Sequence, residues 1–551
     1  MSRLLVILAL VFLIGLPLVM RRDEQRTFAR DARRLIVLSP HNEQIRFEFG
    51  RAFSDWHERR YGEPVEVIWN TPGGTSDIRR MLVSQYRAAL RDGRPIGGNA
   101  DLLFGGGSYE FTELKKPIEV EVRAGDGLEK RTTTVLAPID FDDAFLRGVY
   151  GDENRIGDDP LYDPDRYWFG AALSGFGILY NRDVLDELGV PAPSQWRNLA
   201  DPRLIGAVSL VNPAQSGSIA TAFEAILLRR GWTDGWRILR RVAANARSFS
   251  ASSARGPIDV AQGDAAAGIC IDFYGRYEAQ AILDAGGGDR LGYVDPPGET
   301  RIDADPVAML RGAPEPEIAK RFIEFALSLD GQALWQFTPR SALAGIAGDN
   351  RGPERYELRR MPIRREMFEP GLLERMIDRV NPYLLATAVE KPDRNVRTFI
   401  VPIFGAMAID EHDLLREAWR AIVSHPAYPR DGLGGRGAPA AAPDGAPAVV
   451  TAADVTDPTL REMLTLFDAM PQVQGPDGAM LTLADTTQLA TIRDGWIKEQ
   501  WIERRLWPAQ ALPSDELRRQ FREFFRENYR RIVRLTSVPV ASGAPANPIP
   551  P

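Results

Sequence analysis

Residues 173–218 read LSGFGILYNRDVLDELGVPAPSQWRNLADPRLIGAVSLVNPAQSGS, and this stretch decides the fold. Its apolar run Phe176–Tyr180 predicts a buried strand, and Ala207–Val211 predicts a second strand after a short amphipathic helix. The second strand leads to the hydroxyl-rich segment Ser216–Ser218, where a new helix is expected to start. Strands that end at such helix starts place backbone N–H donors around an anion. The stretch therefore predicts an α/β unit that binds a ligand at its strand ends.

The composition bounds the class of protein. With 551 residues, of which 44% are hydrophobic and 26% charged, the chain has room for two or three soluble domains with sizeable cores. The formal net charge of −7 argues against a general nucleic-acid binder, so we expect no nucleic-acid partner. The single cysteine, Cys270, excludes an internal disulfide framework and a zinc site built on cysteines.

Upstream of this stretch, strands and helices alternate as in an α/β lobe with a largely parallel sheet. The β-rich runs Arg34–Leu38, Val65–Trp69 and Asp101–Phe104 are separated by segments with helical periodicity. Each run is followed by small or hydroxyl-bearing residues, and open α/β sheets bind ligands at these carboxyl ends. Downstream, Pro316 begins an amphipathic helix, and residues 356–422 are expected to be mostly helical.

Three motifs carry a resemblance to a known family. The sequences GFGILYN from Gly175, W.NLADPR from Trp196 and G.V.L.NP..SGS from Gly206 resemble the extracellular solute-binding proteins of ABC importers, in the branch that binds ferric iron or phosphorylated solutes. The resemblance implies an α/β type II periplasmic-binding fold over about residues 33–425. In that fold two lobes, joined by a hinge, close on a small ligand.

The resemblance also suggests metal ligands. His41 stands at a predicted strand end, where a neutral imidazole could ligate a metal or a protonated one could hold a phosphate. In ferric-binding relatives, two adjacent tyrosines supply phenolate oxygens to the iron. Here Phe273 takes the first of these positions, Tyr274 maps onto the second, and Tyr277 or Asp272 could substitute. Ferric iron is thus one candidate for the transported ligand, and no resident cofactor is expected.

Short hydroxyl donors beside backbone N–H groups at helix starts favour an anionic ligand such as a phosphate, a phosphonate or a carboxylate. The predicted ligand-binding residues are Ser39, His41, Thr75, Ser76, Ser174, Gly175, Ser216, Gly217, Ser218, Asp272 and Tyr274. The predicted metal ligands are His41, Tyr274 and Tyr277. If iron binds, the same hydroxyl and N–H donors hold a synergistic anion beside it. No nucleophile–base motif, zinc-protease motif or nucleotide-binding loop occurs, so the chain is not expected to be an enzyme.

These features predict the extracytoplasmic solute-binding component of an ABC importer. It would bind ferric iron, or a small anion that bears a phosphate or phosphonate, and deliver it to a permease in the cytoplasmic membrane. The long C-terminal part favours an alternative function. In that alternative, the chain is a membrane-tethered ligand sensor or assembly module that uses the same fold and signals through its extension.

The segments outside the two lobes carry separate predictions. Residues 1–24 contain an apolar run behind one basic residue and are interpreted as a signal or anchor segment, with an anchor favoured, which places the body outside the cytoplasmic membrane. Residues 428–450 read as a Pro/Ala/Gly linker, 451–535 as a helical extension and 536–551 as a disordered tail. The arginine-rich side of the last helix is interpreted either as a solvated face or as a surface that docks to a membrane or a protein.

Overall fold

The computed structural model describes residues 32–124, 127–343, 351–386, 396–429, 449–474, 479–494 and 513–536. The predicted anchor (1–24), the body of the predicted linker (430–448) and the predicted tail after residue 536 lie outside this described part. None of the helices inside it combines the length and the apolar character that crossing a membrane requires.

Two β-sheets that mix parallel and antiparallel pairs form the frame of the molecule. The strands of the first sheet are β1 (Arg33–Leu38), β2 (Val65–Asn70), β3 (Leu102–Phe104), β6 (Leu136–Ala137), β7 (Phe169–Ser174), β13 (Asp303–Leu310) and β14 (Met361–Pro362). Those of the second are β8 (Phe176–Asn181), β9 (Val208–Val211), β10 (Ala246–Ser250), β11 (Ala267–Ile271) and β12 (Leu291–Val294). The first sheet has the order β14-β7-β13-β3-β1-β2, with β6 beside β13, and the second has the order β10-β9-β11-β8-β12. Two hairpins stand apart: β4 (Ile118–Ala124) with β5 (Gly127–Thr133), and β15 (Gln472–Gln474) with β16 (Met480–Thr482).

The chain crosses between the two sheets at Gly175. Strand β7 belongs to the first sheet and β8 to the second, and this single residue separates them. The chain returns between Val294, the end of β12, and Asp303, the start of β13, which pairs with Ser174. Two neighbouring crossings define two lobes joined by a hinge. This topology confirms the predicted fold class, a two-lobed α/β periplasmic-binding protein with an additional helical region at the C-terminus.

Helices pack against both sheets, and several begin and end where local sequence signals predict. They are α1 (Glu43–Tyr61), α2 (Thr75–Asp92), α3 (Ser108–Lys115), α4 (Asp143–Tyr150), α5 (Arg182–Glu187), α6 (Gly217–Arg230), α7 (Trp232–Asn245), α8 (Arg255–Ala261), α9 (Asp272–Ile282), α10 (Pro316–Leu327), α11 (Leu329–Gln336), α12 (Pro370–Leu373), α13 (Pro382–Leu385), α14 (Val396–Phe404), α15 (His412–Ser424), α16 (Pro458–Asp468), α17 (Leu489–Ile492) and α18 (Pro513–Thr536). The side chain of Asn42 caps α1 by accepting from the N–H of Ile45 at 3.0 Å. Gly62 ends the same helix in the left-handed conformation, with a φ of 72°, which glycine adopts without strain.

An aromatic cluster fills the core of the first lobe. The ring centroids of Phe49 and Trp335 lie 4.4 Å apart, and those of Phe104 and Phe322 lie 5.5 Å apart. The imidazole of His41 packs against this cluster, 4.7 Å from the centroid of Phe104. Edge-to-face packing of this kind holds the strand ends in fixed positions, and the candidate site is built on those ends.

Residues 356–422 are less helical than the sequence predicted. Residues 361–362 form β14 and pair with β7 at the edge of the first sheet, and the helices α12 and α13 are one turn each. Both short helices begin with a proline, which is favoured at the first helical position because the N–H that it lacks would have no partner within the helix. Within the described residues of this range, α14 is the first helix of more than one turn.

The C-terminal helices pack on the second lobe. Helix α18 lies against α14, α15 and α16, and its Tyr529 donates to the carbonyl of Met407 at 3.0 Å. On α7, Arg241 pairs with Asp468 of α16 at 2.7 Å, and the indole of Trp232 donates to the carbonyl of Leu483 at 2.6 Å. The second lobe and the extension therefore share one continuous core.

Helix α18 uses much of its charged surface inside the chain. Its buried apolar residues are Leu517, Phe521, Phe525, Tyr529 and Ile532. Arg518 pairs with Asp410 at 2.5 Å, and Arg526 pairs with Glu411 at the same distance. The arginines that the sequence offered for docking are thus partly engaged by acids next to α15. Docking of this helix to a membrane or a protein stays a prediction.

Candidate functional site

Arg360 lies at the centre of the candidate site, between the two lobes. It directly precedes β14, and its side chain is buried. It donates to Nε2 of His41 at 2.6 Å and to Oγ of Ser174 at 2.8 Å, and it forms an ion pair with Asp305. On the side of the second lobe, its guanidinium carbon lies 4.4 Å from the ring centroid of Phe273. Burial lowers the pKa of Arg360 to about 10, so the side chain stays cationic at neutral pH.

His41 receives the hydrogen bond of Arg360 on Nε2. Burial, followed by the charges of Arg360 and Arg46, lowers the pKa of His41 well below its ordinary value, so the ring is neutral. The other nitrogen, Nδ1, is buried and has no hydrogen-bond partner among the described residues. His41 therefore offers one engaged nitrogen and one open nitrogen to the site.

Asp272, the first residue of α9, is a buried carboxylate whose two oxygens receive no hydrogen bond from a side chain in the described part of the chain. Burial raises its pKa to about 7; the charge of Arg276 opposes this rise, and that of Asp295 adds to it. The backbone N–H of Gly175 lies close enough to lower the pKa of Asp272. The hinge residue Gly175 leaves space beside this group. A Cβ there would stand 3.6 Å from a carboxylate oxygen of Asp272 and 3.6 Å from one of Asp295. The hinge thus adjoins an acceptor that is open to a hydrogen-bond donor.

Two tyrosines, Tyr274 and Tyr277, follow on the same helix. Burial raises the pKa of Tyr274, which opposes the ionisation that a phenolate ligand requires. Its ring packs against Phe273 with a centroid distance of 4.1 Å. The hydroxyl of Tyr277 accepts a hydrogen bond from Gln44 of the first lobe at 3.4 Å. Within the described ranges, no group of three or more His, Cys, Asp or Glu side chains is arranged to hold a metal ion.

Glu110 forms a second centre, where helices from the two lobes begin against each other. It accepts from Oγ of Ser76 at 2.8 Å and pairs with Arg79. A Cβ on Gly217, the first residue of α6 in the second lobe, would stand 3.0 Å from Oε1 of Glu110 and 3.5 Å from Oγ of Ser76. Helix starts attract negative charge, and here an internal carboxylate supplies it.

Two aspartates of β13 engage further donors of the first lobe. Asp305 accepts from the N–H of Gly106, and Asp303 accepts from the N–H of Ser108 at 3.1 Å and from its hydroxyl at 2.6 Å. Burial raises the pKa of Asp303 to about 6, and the charge of Asp159 adds to this rise. Carboxylates of the chain itself thus accept the hydrogen bonds of the glycine loop and of the start of α3.

The other predicted residues lie in the same region, where several have local tasks. The hydroxyl of Ser39 donates to a backbone carbonyl of β3 at 2.8 Å. Ser216 caps α6 and shares a hydrogen bond with Ser253 at 2.6 Å. Thr75 packs against the glycine loop after β3, and Ser218 is half-buried in the first turn of α6. The structure thus brings His41 and Ser174 to Arg360, and Ser76 and Gly217 to Glu110. The contacts of Ser39, Ser216 and Tyr277 are with other groups.

Sequence reasoning missed Arg360, Glu110 and the two aspartates of β13. Arg360 lies 319 residues from His41 along the chain, in a stretch that the sequence predicted to be mostly helical. Its only signal was the consecutive pair Arg359-Arg360 ahead of an extended Met-Pro-Ile segment. No local pattern shows that such a pair reaches a distant histidine.

Comparison with known proteins agrees with this architecture. Residues 151–343 match the family described as bacterial extracellular solute-binding protein. The phosphoglycerate transport regulatory protein PgtC of Salmonella typhimurium is 27% identical over 262 residues, which are 44% of this chain and 64% of that protein. An uncharacterized protein of Haemophilus influenzae is 30% identical over 163 residues, which are 29% of this chain and 45% of that protein. The chain thus spans less than two thirds of these curated relatives.

Two solved structures have a similar chain course. The periplasmic binding protein AfuA of Actinobacillus pleuropneumoniae, with fructose-6-phosphate bound, has a TM-score of 0.46 and 17% identity, over 70% of this chain and 97% of that one. Iron-bound HitA of Pseudomonas aeruginosa has a TM-score of 0.42 and 16% identity, over 65% of this chain and 94% of that one.

The family match confirms the resemblance that the three sequence motifs suggested. Residues 151–343 are thus similar to the bacterial extracellular solute-binding proteins. The two-lobe architecture itself follows from the strand order and from the crossing at Gly175.

Proposed function

We propose that the protein is the extracytoplasmic solute-binding component of an ABC importer and that its cleft takes a small hydroxylated anion, such as a phosphate ester, in preference to ferric iron. The observation that carries this proposal is the pair of open polar groups near Arg360, which are Nδ1 of His41 and the carboxylate of Asp272. A buried polar group without a partner costs free energy, about 1–3 kcal/mol, that a bound ligand can recover. A solute with both anionic oxygens and hydroxyl groups complements the cation, the open nitrogen and the open carboxylate.

The charges of the cleft decide where an anion is expected to bind. Glu110, Asp303 and Asp305 already engage the helix starts and the glycine loop of the first lobe. The lobes also touch each other in this arrangement, since Arg80 of the first lobe donates to the carbonyl of Ala214 in the second at 3.1 Å. An entering anion is therefore expected to bind Arg360 beside Asp305, because the backbone and hydroxyl donors at these helix starts already have carboxylate acceptors.

Ferric iron receives less support from the same residues. Nε2 of His41 is hydrogen-bonded to a guanidinium, whose positive charge disfavours a trivalent cation beside it. Tyr274 has a raised pKa, and its partner position in the ferric pattern is Phe273. The Salmonella relative is named as a phosphoglycerate transport regulatory protein, so 3-phosphoglycerate is a suitable first probe.

The test is isothermal titration of the full chain, purified without chelators, with 3-phosphoglycerate and with the analogue that lacks its hydroxyl group. We expect saturable binding of 3-phosphoglycerate and an affinity about 10- to 100-fold lower for the deoxy analogue, because a hydrogen bond to a charged acceptor contributes about 1.5–3 kcal/mol. Asp272→Asn should remove this difference between the two compounds. Asp289→Asn, at a carboxylate that is 91% exposed, is the matched control and should keep it.

Titration with ferric nitrilotriacetate gives the opposing result. Retention of Fe(III) with a phenolate charge-transfer colour that disappears in Tyr274→Phe would replace the anion proposal with the ferric one. Absence of binding to either probe, with a different mass retained in native mass spectrometry, would keep the transport role and reject both ligand classes.

A second candidate function is that of a membrane-tethered sensor or assembly module. The observation that favours it is the extension, which shares its core with the second lobe through Arg241, Asp468 and Trp232 and therefore moves with that lobe. The word "regulatory" in the name of the Salmonella relative agrees with this candidate.

Site-specific photo-crosslinking in cells separates the two functions. A photoreactive residue at Arg530, on the exposed side of α18, is compared with one at Leu128, in the exposed β4–β5 hairpin. Cross-links from residue 530 to a membrane protein other than the permease support the sensor. If position 530 yields none and loss of the protein abolishes solute uptake, the importer role stands alone.

We further propose that residues 1–24 anchor the protein to the outer side of the cytoplasmic membrane. The support is the apolar run behind Arg3 and the extracellular character of the family. Replacement of residues 1–24 by a cleavable signal peptide should release the body into the periplasmic fraction. Continued membrane association after that replacement would contradict the anchor.

A further inference from the structure

The hydrogen bond between Arg360 and His41 determines which nitrogen of the imidazole carries a proton. A guanidinium has N–H donors and no acceptor, so Nε2 of His41, 2.6 Å from a terminal nitrogen of Arg360, must be the acceptor. An imidazole nitrogen accepts a hydrogen bond only when it bears no proton. A ring without a proton on Nε2 is not an imidazolium, so its one proton is on Nδ1.

Arg360 itself is held on several sides, so its approach to His41 is fixed. Ser174 accepts from its second terminal nitrogen, Asp305 pairs with it, and Phe273 covers its face. Gly105 also matters here, because a Cβ at that residue would stand 2.5 Å from Nε2 of His41. The glycine thus keeps the ring edge clear where the guanidinium meets it.

We infer that Arg360 is a positioning residue that holds His41 as the Nδ1–H tautomer, so that the open nitrogen of His41 donates a hydrogen bond to an oxygen atom of the solute. This inference rests on the proposed function and sharpens it. The His41 corner of the cleft selects an acceptor, such as a phosphate or carboxylate oxygen, while Asp272 selects a donor. Neither nitrogen of His41 is then available to a metal ion, since one faces a guanidinium and the other carries the proton.

Nitrogen-15 NMR of the imidazole rings tests the tautomer directly. The full chain has only four histidines, so a long-range ¹H–¹⁵N correlation of histidine-labelled protein at neutral pH is simple, and His41→Gln identifies the signals of residue 41. We expect the pattern of a neutral ring protonated on Nδ1. A ring protonated on Nε2, or on both nitrogens, would overturn the inference.

Substitutions of Arg360 separate positioning from a general structural effect. Arg360→Met removes the donor and should convert His41 to the Nε2–H tautomer or to a mixture, whereas Arg360→Lys keeps a donor and should preserve Nδ1–H. Arg359→Met removes a neighbouring guanidinium that pairs with Asp378, and it should leave the His41 pattern unchanged. An unchanged tautomer in Arg360→Met overturns the inference. If Arg360→Met does not fold, the test is Arg360→Lys, in which loss of the Nδ1–H tautomer overturns the inference.

Two added probes distinguish this inference from the proposed function. Binding of 3-phosphoglycerate should shift the Nδ1–H signal downfield and slow its exchange with water, while ferric nitrilotriacetate should leave the signals of His41 unbroadened. A folded chain that shows Nδ1–H but binds no phosphate ester or carboxylate refutes the proposed solute and keeps the tautomer. A chain that binds 3-phosphoglycerate without any change at His41 refutes the donor role alone.

Discussion

Two buried arginines show how differently the cleft and the interface with the C-terminal extension are built. In the cleft, Arg360 pairs with Asp305 and donates to two side chains. At the interface, Arg240 forms no ion pair with any described residue; it donates to the carbonyl of Ala469 at 3.0 Å and to the sulfur of Met407 at 3.2 Å. Its guanidinium carbon lies 5.1 Å from the ring centroid of Phe525.

The difference lies in the partners of the two guanidinium groups. Arg360 belongs to a network of polar side chains, whereas Arg240 lies among aromatic rings and sulfur atoms, and its buried Nη1 has no hydrogen-bond partner among the described residues. Near Arg360, Nδ1 of His41 and both carboxylate oxygens of Asp272 have no side-chain hydrogen-bond partner among the described residues. Around Arg240 the neighbours are aromatic rings and thioethers, which interact with a cation without directional demands. In the cleft, the guanidinium of Arg360 is held by an ion pair and directional hydrogen bonds. At the interface, the guanidinium of Arg240 is surrounded mainly by aromatic rings and sulfur atoms.

The largest effect is expected from Arg360→Met. The substitution leaves Asp305 buried, 4% exposed, without its cation, and breaking a buried pair from one side costs about 3–5 kcal/mol. Urea unfolding of the full chain measures the change in the free energy of unfolding. Arg94→Met, which removes an ion pair at the surface, is the control and should change it by less than about 1 kcal/mol. A loss of similar size in both variants would mean that Asp305 finds solvent when Arg360 is gone.

The next effect is a dependence of stability on pH that is centred on Asp272. Its folded pKa of about 7 lies above the ordinary value of about 4 in an unfolded chain, so the folded protein holds the proton to higher pH. The wild type should therefore lose stability, relative to Asp272→Asn, as the pH rises from about 4 to about 7, by at most about 1.4 kcal/mol per pH unit. Urea midpoints of both proteins at several pH values measure this. Parallel curves would show that Asp272 is solvated or partnered in solution.

A smaller effect is expected from Arg240→Met. The variant loses the hydrogen bond to Ala469. It also removes a buried charge that forms no ion pair with a described residue, and this burial lowers the pKa of Arg240. These two contributions oppose each other, so the free energy of unfolding should change by about 1 kcal/mol or less. Thermal and urea unfolding of the full chain check this value. A loss as large as that of Arg360→Met would erase the contrast between the two regions.

The smallest effect is expected on the outer side of α18. Arg534 pairs with Glu527, and both side chains are more than 60% exposed. Arg534→Ala should therefore leave the free energy of unfolding within about 0.5 kcal/mol of the wild type. A larger loss, again measured by urea unfolding, would indicate that this face of the helix is covered in the folded chain.

Most of the fold could be predicted from the sequence because its strands are local, apolar and bounded by turn residues. The predicted runs Val65–Trp69 and Phe176–Tyr180 each end one residue short of the observed strands. The first four residues of strand β13, Asp303–Pro306, are harder to recognise in the sequence. Two aspartates and a proline hide the pattern of a buried strand, and such departures from local rules are expected at functional sites.

The candidate site was only partly predictable. Small and hydroxyl-bearing residues at strand ends, such as Ser174 and Thr75, could be found because the carboxyl edge of an α/β sheet is fixed by topology. The roles that side chains take there could not be found, because they depend on partners from distant segments. Arg360, which meets His41 and Ser174, and Glu110, which takes the hydroxyl of Ser76, are recruited only once the lobes have folded.

The attachment of the extension to a single lobe has a consequence for how such a chain can grow. The contacts described above join the extension to the second lobe, so the extension follows the orientation of that lobe. The extension also adds surface to the second lobe, and the orientation of that surface depends on the backbone conformation at Gly175. Occupancy of an interior cavity would in this way become visible at a distant surface as a change of orientation.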